Sequence, residues 1–386
     1  MTDKPRDLRA SEPNQAVPSI DWKAVRAEFP ALENWTYLNT ATYGHVPRRG
    51  ADAILQHFAN RDESACSDFL AWYDEADRIR ESLARLIHAT ADDIAFIPNS
   101  STSLGLIAGG IDWKRGDNLV TLTDEFPNCL YLPALVERYG VEFREVPWER
   151  FYDSIDKRTR MVAISEVNYA TGLRPPLTQL SKFLHERGVL LYLDGTQSVG
   201  ALRFDVREAQ PDMLAVHGYK WMCSPTGIGF MYVAPALRSG LLPNVSGWRT
   251  HQDWRNVDSL HHGMPVLKES AERYEGGGLP FGLLHALGAV ADWMLSLSTQ
   301  AIEERVLTLS RCAREKLLHL GAEGPQMDGH IVAMKFPGLD SSALAKQLRL
   351  RRVLVAARHG YFRVSPHFYN EEGDLERLVE ETRKLI

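Results

Sequence analysis

A carboxylate and a lysine in the stretch from Val189 to Val233 are the residues best placed to do chemistry. A continuous apolar run from Val189 to Leu193 ends on Asp194, a pattern typical of a strand buried on both faces of a parallel sheet. Ligands of open α/β sheets bind at the carboxyl ends of the strands, where Asp194 is predicted to lie. Lys220 follows among aromatic residues, ahead of a Gly-rich turn and another apolar strand pattern. These surroundings argue against a lysine that is merely solvated.

The combination of Asp194 and Lys220 fits the requirements of pyridoxal 5′-phosphate. This cofactor is held as a Schiff base on a lysine, and its ring nitrogen must stay protonated if the ring is to draw electrons from the substrate's α-carbon. A carboxylate beside that nitrogen supplies the counter-charge, at ~1.36 kcal/mol for each unit by which it raises the pyridine pKa. Gln197, three residues after Asp194, is placed to hydrogen-bond the phenolic oxygen of the ring. We therefore predict Lys220 and Asp194 as catalytic residues and Gln197 as a cofactor ligand.

Two motifs, DGTQSVG at residues 194–200 and HGYKW at residues 217–221, resemble those of the class V aminotransferase family of fold type I pyridoxal phosphate enzymes. That family includes cysteine desulfurases, isopenicillin N epimerase-like proteins and C–S lyases. The resemblance extends from YLNTATYG near the start of the chain to FRVSPHFYN near its end. It implies the fold, the cofactor and the role of Lys220, and it implies a homodimer with sites at the subunit boundary. It leaves the reaction open.

The fold predicted from the resemblance and from the order of elements is α/β. We expect a three-layer α/β/α large domain with a mainly parallel sheet, like that of aspartate aminotransferase, and a smaller C-terminal α+β domain. The 386 residues are enough for two such cores. The predicted division is a flexible tail over residues 1–17, a large cofactor-binding domain over 18–290 and a small domain over 291–386.

A hydroxyl-rich turn is predicted to hold the cofactor's phosphate. A strand over residues 94–97 runs into Ser100, Ser101 and Thr102 and then into an apolar helix. Phosphates bind at helix amino termini through free backbone amides and the helix dipole. A plain Ser/Thr N-cap is the better reading of these residues alone, but their match to the family's phosphate loop favours the phosphate role.

Further cofactor ligands are predicted from the resemblance. Phe126 occupies the position where the family stacks a ring, often histidine, over the cofactor, and phenylalanine can stack but cannot carry protons. A core position for Phe126 is nearly as well supported. Asn168 and Tyr169, which follow a buried strand, are also predicted ligands, as are His217 and Tyr219, which replace a serine and a histidine of the family. The last predicted ligand is the backbone amide of Gly278. In the family, a loop at this position reaches the phosphate of the partner subunit through a threonine, and Gly278 stands where that threonine is expected.

The substrate is predicted to lie between two segments at opposite ends of the chain. Asn39, Thr40 and Ala41 match the family's pocket-lining segment, although an ordinary strand end is an equally good reading. Arg363 lies between aromatic residues in FRVSPHFYN, and its guanidinium fork suits bidentate binding of an α-carboxylate. A surface arginine on an edge strand is the alternative. Arg358 and His359 are weaker candidates.

Composition argues against several classes of partner. The net charge is −6, and the 44 basic and 50 acidic residues are interspersed, so no basic face indicates nucleic acid or anionic lipid. The first residues are polar, and every apolar stretch is shorter than the ~18 residues of a membrane span. We expect a cytoplasmic protein whose partner is a small-molecule amino acid. The cysteines lack paired spacing, so we predict no metal site and interpret all four as small buried hydrophobic residues: Cys66, Cys129, Cys223 and Cys312.

Several reactions share abstraction of the substrate's α-proton by the Lys220 amine. We rank transamination first, with C–S β-lysis of a cysteine conjugate or sulfoxide close behind and epimerisation third. Cysteine desulfuration is disfavoured, because the loop VLVAARHGYFR ahead of Arg363 is short and has no cysteine. A pyridoxal phosphate-binding regulatory protein without turnover is the non-enzyme alternative. A nucleotide-binding protein is a weaker one, since the chain lacks the dinucleotide glycine fingerprint and the phosphate-loop lysine.

Overall fold

The computed structural model describes residues 20–325 and 329–386. The tail predicted over residues 1–17 lies outside the described residues.

A seven-stranded sheet forms the centre of the molecule, in the order β2-β8-β7-β6-β5-β3-β4. All neighbouring pairs from β4 to β7 are parallel, whereas β8 is antiparallel to both β7 and β2. The predicted mainly parallel sheet is confirmed. The strands are β1 Thr36–Tyr37, β2 Ile94–Ile97, β3 Asn118–Leu122, β4 Glu142–Val146, β5 Thr159–Ser165, β6 Leu190–Asp194, β7 Met213–His217, β8 Gly229–Val233, β9 Val332–Met334, β10 Val353–Leu354, β11 Ala356–Arg358 and β12 Tyr361–Val364.

Helices cover both faces of this sheet. Val162 and Ile164 of β5 pack in the same cluster as residues of α3, α7 and α10, whereas Met161 and Ala163 pack with α4 and α6. This alternation is what a strand buried on both faces requires. The helices are α1 Trp22–Ala27, α2 Arg48–Ser64, α3 Phe69–Leu86, α4 Ser100–Gly110, α5 Pro127–Leu130, α6 Pro133–Val136, α7 Leu177–His185, α8 Val206–Ala209, α9 Pro235–Arg238, α10 Phe281–Leu297, α11 Thr299–His319, α12 Ser341–Leu350 and α13 Glu372–Arg383.

The C-terminal part of the chain builds a second core around an antiparallel sheet in the order β11-β12-β9. Residues of α11, α12 and α13 share this core, and Leu38 from the start of the chain joins it. β1 also pairs with β10, so the N-terminal segment is attached to this second unit. The predicted boundary after residue 290 falls within α10, which is continuous to Leu297. We propose that the small domain begins after that helix.

α3 contributes to the core, because Ile79 and Leu83 are fully buried where it packs against α10. The interpretation of all four cysteines as buried residues was wrong for two of them. Cys66 is exposed, in a left-handed backbone conformation just after α2, and Cys312 is only half-buried. The interpretation as buried hydrophobic residues is confirmed for Cys129 and Cys223.

No single helix in residues 20–325 and 329–386 is both long and apolar enough to cross a membrane. Only α10 and α11 taken together meet that test, and they are bent by 83° at their junction.

Candidate active site

Asp194 lies at the carboxyl end of β6, directly beside Ser165 at the end of β5. The sequence places it there because the apolar run forms a central strand that ends at the carboxylate. Asp194 is only 6% exposed. Its Oδ1 accepts a hydrogen bond from the backbone N–H of Thr196 at 2.9 Å. A carboxylate in this position is fixed in direction and shielded from water.

Lys220 follows β7, which is parallel to β6, so it emerges at the same edge of the sheet as Asp194. Its side chain is buried, and its Nζ lies 5.4 Å from the ring centroid of Phe126 and 5.3 Å from that of Tyr219. Burial lowers the pKa of Lys220 to about 7, against the opposing field of Asp194. A large fraction of this amine is therefore unprotonated at neutral pH, the form that acts as a nucleophile or base.

Gly44 makes room for the loop that carries Lys220, residues 218–221, which we call the lysine loop. The sequence did not predict this role. Its N–H donates to the carbonyl of Tyr219 at 2.8 Å. A Cβ on Gly44 would lie only 1.8 Å from the carbonyl oxygen of Lys220. Any larger residue would therefore displace the backbone of the lysine. The glycine in TATYG was the available signal.

Gln197 holds the lysine loop against the N-terminal segment. Its Nε2 donates to the carbonyl of Ala41 at 2.9 Å, and its Oε1 accepts from the indole Nε1 of Trp221 at 2.8 Å. An amide has two N–H donors, so one remains for the predicted bond to the phenolic oxygen. Gln197 thus positions the residue next to Lys220 as well as being a candidate ligand.

Two buried histidines of the C-terminal part donate hydrogen bonds to the loops that contain Gln197 and Trp221. The sequence did not predict this role. The Nε2 of His330 donates to the carbonyl of Gln197 at 2.6 Å, and the Nε2 of His367 donates to the carbonyl of Trp221 at 2.8 Å. Both rings contact the indole of Trp221. Each Nδ1 is buried without a partner among the described residues, and burial lowers the pKa of both histidines to about 3.

Two other buried carboxyl groups titrate in the opposite sense. Glu125 accepts hydrogen bonds from the N–H and the hydroxyl of Ser165, and Glu166 accepts from the hydroxyl of Ser198. Burial raises the pKa of each carboxyl group to about 7. Between their usual pKa of 4.5 and the usual histidine pKa of 6.5, the folded chain keeps both carboxyl groups protonated and both histidines neutral, while the unfolded chain does the reverse.

Removing one of these two histidines is expected to change how the free energy of unfolding depends on pH. The histidines contribute fully to the free energy of unfolding above pH 6.5, and this contribution is lost as the pH falls toward 3. The carboxyl groups act in the opposite direction, because their contribution to the free energy of unfolding is lost as the pH rises through about 7. For His330→Gln we expect the free energy of unfolding to fall with rising pH, relative to wild type, by ~1.4 kcal/mol per pH unit in this window. Equilibrium urea unfolding at several pH values measures the slope. Glu166→Gln, the matched control, should shift it equally in the other direction; identical slopes in all three proteins would contradict a neutral buried His330.

The predicted phosphate loop lies at the amino end of α4, after β2. β2 is antiparallel to β8, which is antiparallel to β7, so the carboxyl end of β2 is at the same edge as Asp194. The N-cap is Asn99, whose Oδ1 accepts from the N–H of Thr102 at 3.0 Å, so the Ser/Thr N-cap alternative is wrong. Ser100 is buried and accepts from Nδ2 of Asn128 at 3.0 Å, and Ser101 is exposed. Apart from the N–H of Thr102, which donates to Asn99, the first-turn amides of α4 have no partner within the helix, as phosphate binding requires.

Asn168 and Tyr169 lie in the loop that follows β5. The Nδ2 of Asn168 donates to the carbonyl of Asp124 at 2.7 Å, and its Oδ1 accepts from two backbone N–H groups at 2.9 Å. These bonds favour a role in shaping the loop over the predicted cofactor contact. Tyr169 places its ring 5.2 Å from that of Phe126, and its hydroxyl lies 2.5 Å from Nε2 of His359. Tyr169 and His359 thus border the site together.

His217 and Tyr219 flank the lysine loop, with ring centroids 4.3 Å apart. Burial, aided by Lys220, lowers the pKa of His217 to about 4, so its ring is neutral at neutral pH. Burial raises the pKa of Tyr219 to about 12, so its hydroxyl keeps its proton. Both residues can contact an anionic group only as neutral hydrogen-bond donors.

Gly278 lies in an exposed turn after Gly276, which has a φ of +73°. Arg249 anchors this turn by donating to the carbonyl of Gly277 at 3.1 Å. A Cβ on Gly278 would meet nothing within 4 Å. Contact of this amide with a phosphate in a second subunit stays a prediction.

Arg363 lies on the central strand of the small sheet and is 0% exposed, so the edge-strand surface alternative is wrong. Its Nη1 donates to the carbonyl of Tyr169 at 2.5 Å, and its Nη2 donates to the hydroxyl of Thr42 at 2.6 Å. The Nε–H is buried and unpartnered among the described residues. Burial and the neighbouring Arg358 lower the pKa of Arg363 to about 9. An anion that reaches this guanidinium would relieve its unfavourable burial.

The N-terminal segment contributes to the site mainly through residues other than Thr40. Thr40 is fully buried and hydrogen-bonds the hydroxyl of Tyr369 at 2.7 Å, which favours a packing role. Ala41 is buried and bonded through its carbonyl to Gln197. Asn39 and the unanticipated Thr42 are the residues of this segment that contact Arg363.

These groups fit pyridoxal 5′-phosphate. A buried amine of low pKa, a buried carboxylate, an apolar ring and a helix amino terminus are what the cofactor's aldehyde, ring nitrogen, ring face and phosphate require. Lys220, Asp194 and the start of α4 all lie at one edge of one sheet. Phe126 packs against the amine itself.

Known proteins resemble this chain over nearly its whole length. A "Probable cysteine desulfurase" of Methanothermobacter thermautotrophicus is 25% identical, over 94% of this chain and 97% of that protein. The isopenicillin N epimerase of Streptomyces clavuligerus is 26% identical, over 93% and 97%. A solved structure of a C-DES mutant with glycine covalently linked to its pyridoxal phosphate matches with a TM-score of 0.86 at 20% identity, over 93% of this chain and 98% of that one. The family model described as aminotransferase class-V matches residues 39–378. The cofactor of this chain is pyridoxal 5′-phosphate, and the chain belongs to the class V aminotransferase family.

Proposed function

We propose that this enzyme catalyses transamination of an amino acid, with Lys220 as the proton carrier. The observation that carries the proposal is the buried amine of Lys220, whose pKa near 7 leaves it ready to accept a proton at neutral pH. A general base works best when its pKa lies near the operating pH. When bound, the cofactor draws electrons away from the α-carbon of the substrate.

Asp194 supports this role through its fixed negative charge. It is buried, it is oriented by the N–H of Thr196, and its field favours the protonated form of Lys220. A carboxylate in this place stabilises a protonated ring nitrogen. We propose that this is its function.

Arg363 is proposed to hold the α-carboxylate of the substrate. Its guanidinium is buried, and its Nε–H lacks a partner among the described residues. Its Nη groups are held in place by Tyr169 and Thr42. A guanidinium fixed in this way binds a carboxylate with little further loss of side-chain freedom.

The choice of transamination rests on what surrounds the amine. Two rings flank Lys220: Phe126 carries no titratable proton, and burial raises the pKa of Tyr219 to about 12, which makes its hydroxyl a weak proton donor. A single amine that takes up the α-proton and releases it nearby is enough for transamination, whereas epimerisation needs a proton donor on the opposite face. C–S β-lysis is the closest competitor, because it also begins with removal of the α-proton by this amine.

Two observations bear on cysteine desulfuration, one in its favour and one against it. Relatives named as cysteine desulfurases weigh in its favour. Against it, β11 and β12 are joined by a two-residue turn, His359 and Gly360, and no cysteine of the chain falls in this segment. We keep the prediction that the enzyme does not form a persulfide on this loop.

Incubation with a panel of amino acids, with and without an added keto-acid acceptor, tests the proposal. Transamination predicts keto acid from the substrate only when the acceptor is present, with matching amination of the acceptor. Pyruvate from cysteine conjugates without an acceptor would indicate β-lysis, and formation of the D-amino acid would indicate epimerisation. Persulfide after incubation with cysteine would overturn the ranking that disfavours desulfuration. A stoichiometric cofactor without product from any substrate would support the regulatory alternative.

We further propose that the enzyme is a cytoplasmic homodimer. The exposed turn at Gly278 and the exposed side chains of Trp248, Val245 and Met264 nearby in sequence support a subunit contact.

A further inference from the structure

A second arginine lies beside Arg363 on the same face of the small sheet. In the β11–β12 hairpin Ala356 pairs with Arg363 and Arg358 pairs with Tyr361. Directly paired residues of antiparallel strands share a face, and alternate residues of a strand share it too. Arg358 and Arg363 therefore project from one face, as diagonal neighbours. Phe362 and Val364 project from the other face into the small core.

The tight turn of the hairpin fixes this arrangement. His359 and Gly360 have φ values of +48° and +77°, the left-handed pair of a two-residue hairpin turn. His359 adopts this conformation without being a glycine, and its ring is held by the hydroxyl of Tyr169. A longer loop would leave the position of Arg358 variable.

Both guanidinium groups converge on one hydroxyl, and the charge of each acts on Lys220. Nη2 of Arg363 and Nη2 of Arg358 lie 2.6 Å and 3.4 Å from Oγ1 of Thr42. Each arginine also lowers the pKa of Lys220 by its positive charge. Two cations are thus placed where a substrate of Lys220 must lie.

Neither cation has a counter-ion in the described part of the chain. Arg363 donates to the carbonyl of Tyr169, to Thr42 and to Asn39, and Arg358 donates to the carbonyl of Ala357 and to Thr42; all of these acceptors are neutral. Arg363 is fully buried and Arg358 half-buried. A buried cation beside a half-buried one, with no anion between them, is unfavourable unless a ligand supplies the negative charge. The α-carboxylate of an amino acid supplies only one.

We propose that the substrate is an amino acid with a carboxylate in its side chain, bound through its α-carboxylate at Arg363 and its side-chain carboxylate at Arg358. This inference rests on the proposed function, because it concerns the substrate of the same site. It assigns Arg358 as the residue that determines specificity. The class is a dicarboxylic amino acid such as aspartate or glutamate.

Binding of matched acids to the holoenzyme tests the inference without turnover. Glutarate and valerate have the same number of carbon atoms and lack an amino group, so they probe the two cations alone. We expect glutarate to bind at least about 10-fold more tightly than valerate, the effect of one charge-assisted hydrogen bond. In Arg358→Gln the ratio of the two dissociation constants should fall toward one, through weaker glutarate binding. Arg358→Lys, which keeps the charge, should retain part of the preference, and Arg349→Gln, which removes an exposed arginine of α12, should retain all of it.

The outcomes separate this inference from the proposed function. Equal binding of glutarate and valerate to the wild-type holoenzyme, or a ratio unchanged in Arg358→Gln, would overturn the assignment of Arg358. Efficient amino-group transfer from glutamine with none from glutamate would overturn it too, while leaving transamination standing. A clear preference for glutarate together with β-elimination products would instead support the second anion site and overturn transamination.

Discussion

Replacing Lys220 by alanine is expected to remove the visible absorption band of the bound cofactor and to lower turnover by at least about 10³-fold. Lys220 is the buried amine at the carboxyl edge of the sheet, and it is proposed to serve both as the point of cofactor attachment and as the proton carrier. General acid–base groups typically contribute 10²- to 10⁴-fold, and loss of the covalent link adds to this. Absorption spectra of the purified variant, with turnover of the best amino acid from the panel, measure both effects.

The control for Lys220→Ala is Lys182→Ala. Lys182 is an exposed lysine near the end of α7, so its replacement removes the same charge from the protein surface. We expect wild-type spectra and turnover in this variant. An unchanged absorption band in Lys220→Ala would place the cofactor on another lysine and would remove the basis for the proposed mechanism.

The positions of Asp194 and Lys220 were predictable because their signals are local. A short apolar run that ends on a polar residue indicates a central strand and its end, and β2 and β6 were located to within a residue in this way. Parallel pairing then brings all the carboxyl ends to one edge. Polar residues that follow such strands therefore indicate where the site lies, even before their contacts are known.

The residues that hold the lysine loop were not predictable because their contacts span most of the chain. His330 and His367 bond to carbonyl groups 133 and 146 residues away. Nothing near either histidine in the sequence distinguishes a core position from a ligand. Gly44 is similar, since only the folded chain reveals how closely its backbone approaches Lys220.

The sequence predicted that the N-terminal segment lines the pocket, but it did not predict which of its side chains contact Arg363. YLNTAT contains two threonines two positions apart. The turn after Asn39 decides which one faces the arginines, and this turn depends on pairing with Ser365. Thr42, not Thr40, therefore bonds to Arg363. Local pattern alone cannot make this distinction.

The C-terminal part thus contributes more to the site than Arg363, the arginine proposed to bind the substrate. His330 holds Gln197, His367 holds Trp221 and Arg363 holds the loop at Tyr169. These three contacts attach the small sheet and its neighbouring segments to the loops that follow β5, β6 and β7. The positions of Lys220 and Arg363 are therefore coupled through one set of buried hydrogen bonds.

Asp194→Asn is expected to retain the cofactor but to lower kcat by about 10²- to 10³-fold, the range found when a preorganised electrostatic group is removed. The side chain of asparagine keeps an Oδ1 that accepts the N–H of Thr196, so the loop is preserved while the negative charge is lost. Without that charge a protonated ring nitrogen is no longer favoured. Steady-state kinetics and the cofactor-to-protein ratio measure the two parts of the prediction.

Glu125→Gln is the matched control for Asp194→Asn. Glu125 is a second buried carboxyl group beside Asp194, and burial raises its pKa to about 7. At pH 6 most of it is therefore protonated, and glutamine reproduces that neutral form: its Oε1 can accept from the N–H of Ser165, and its Nε2 can donate to the hydroxyl oxygen of Ser165 in place of the protonated carboxyl oxygen. We expect turnover at pH 6 within a few-fold of wild type for Glu125→Gln, against the large loss in Asp194→Asn. Full activity in Asp194→Asn would show that the charge on this carboxylate is not what keeps the ring nitrogen protonated, and equal losses in both variants would point to a general effect of altering this edge of the sheet.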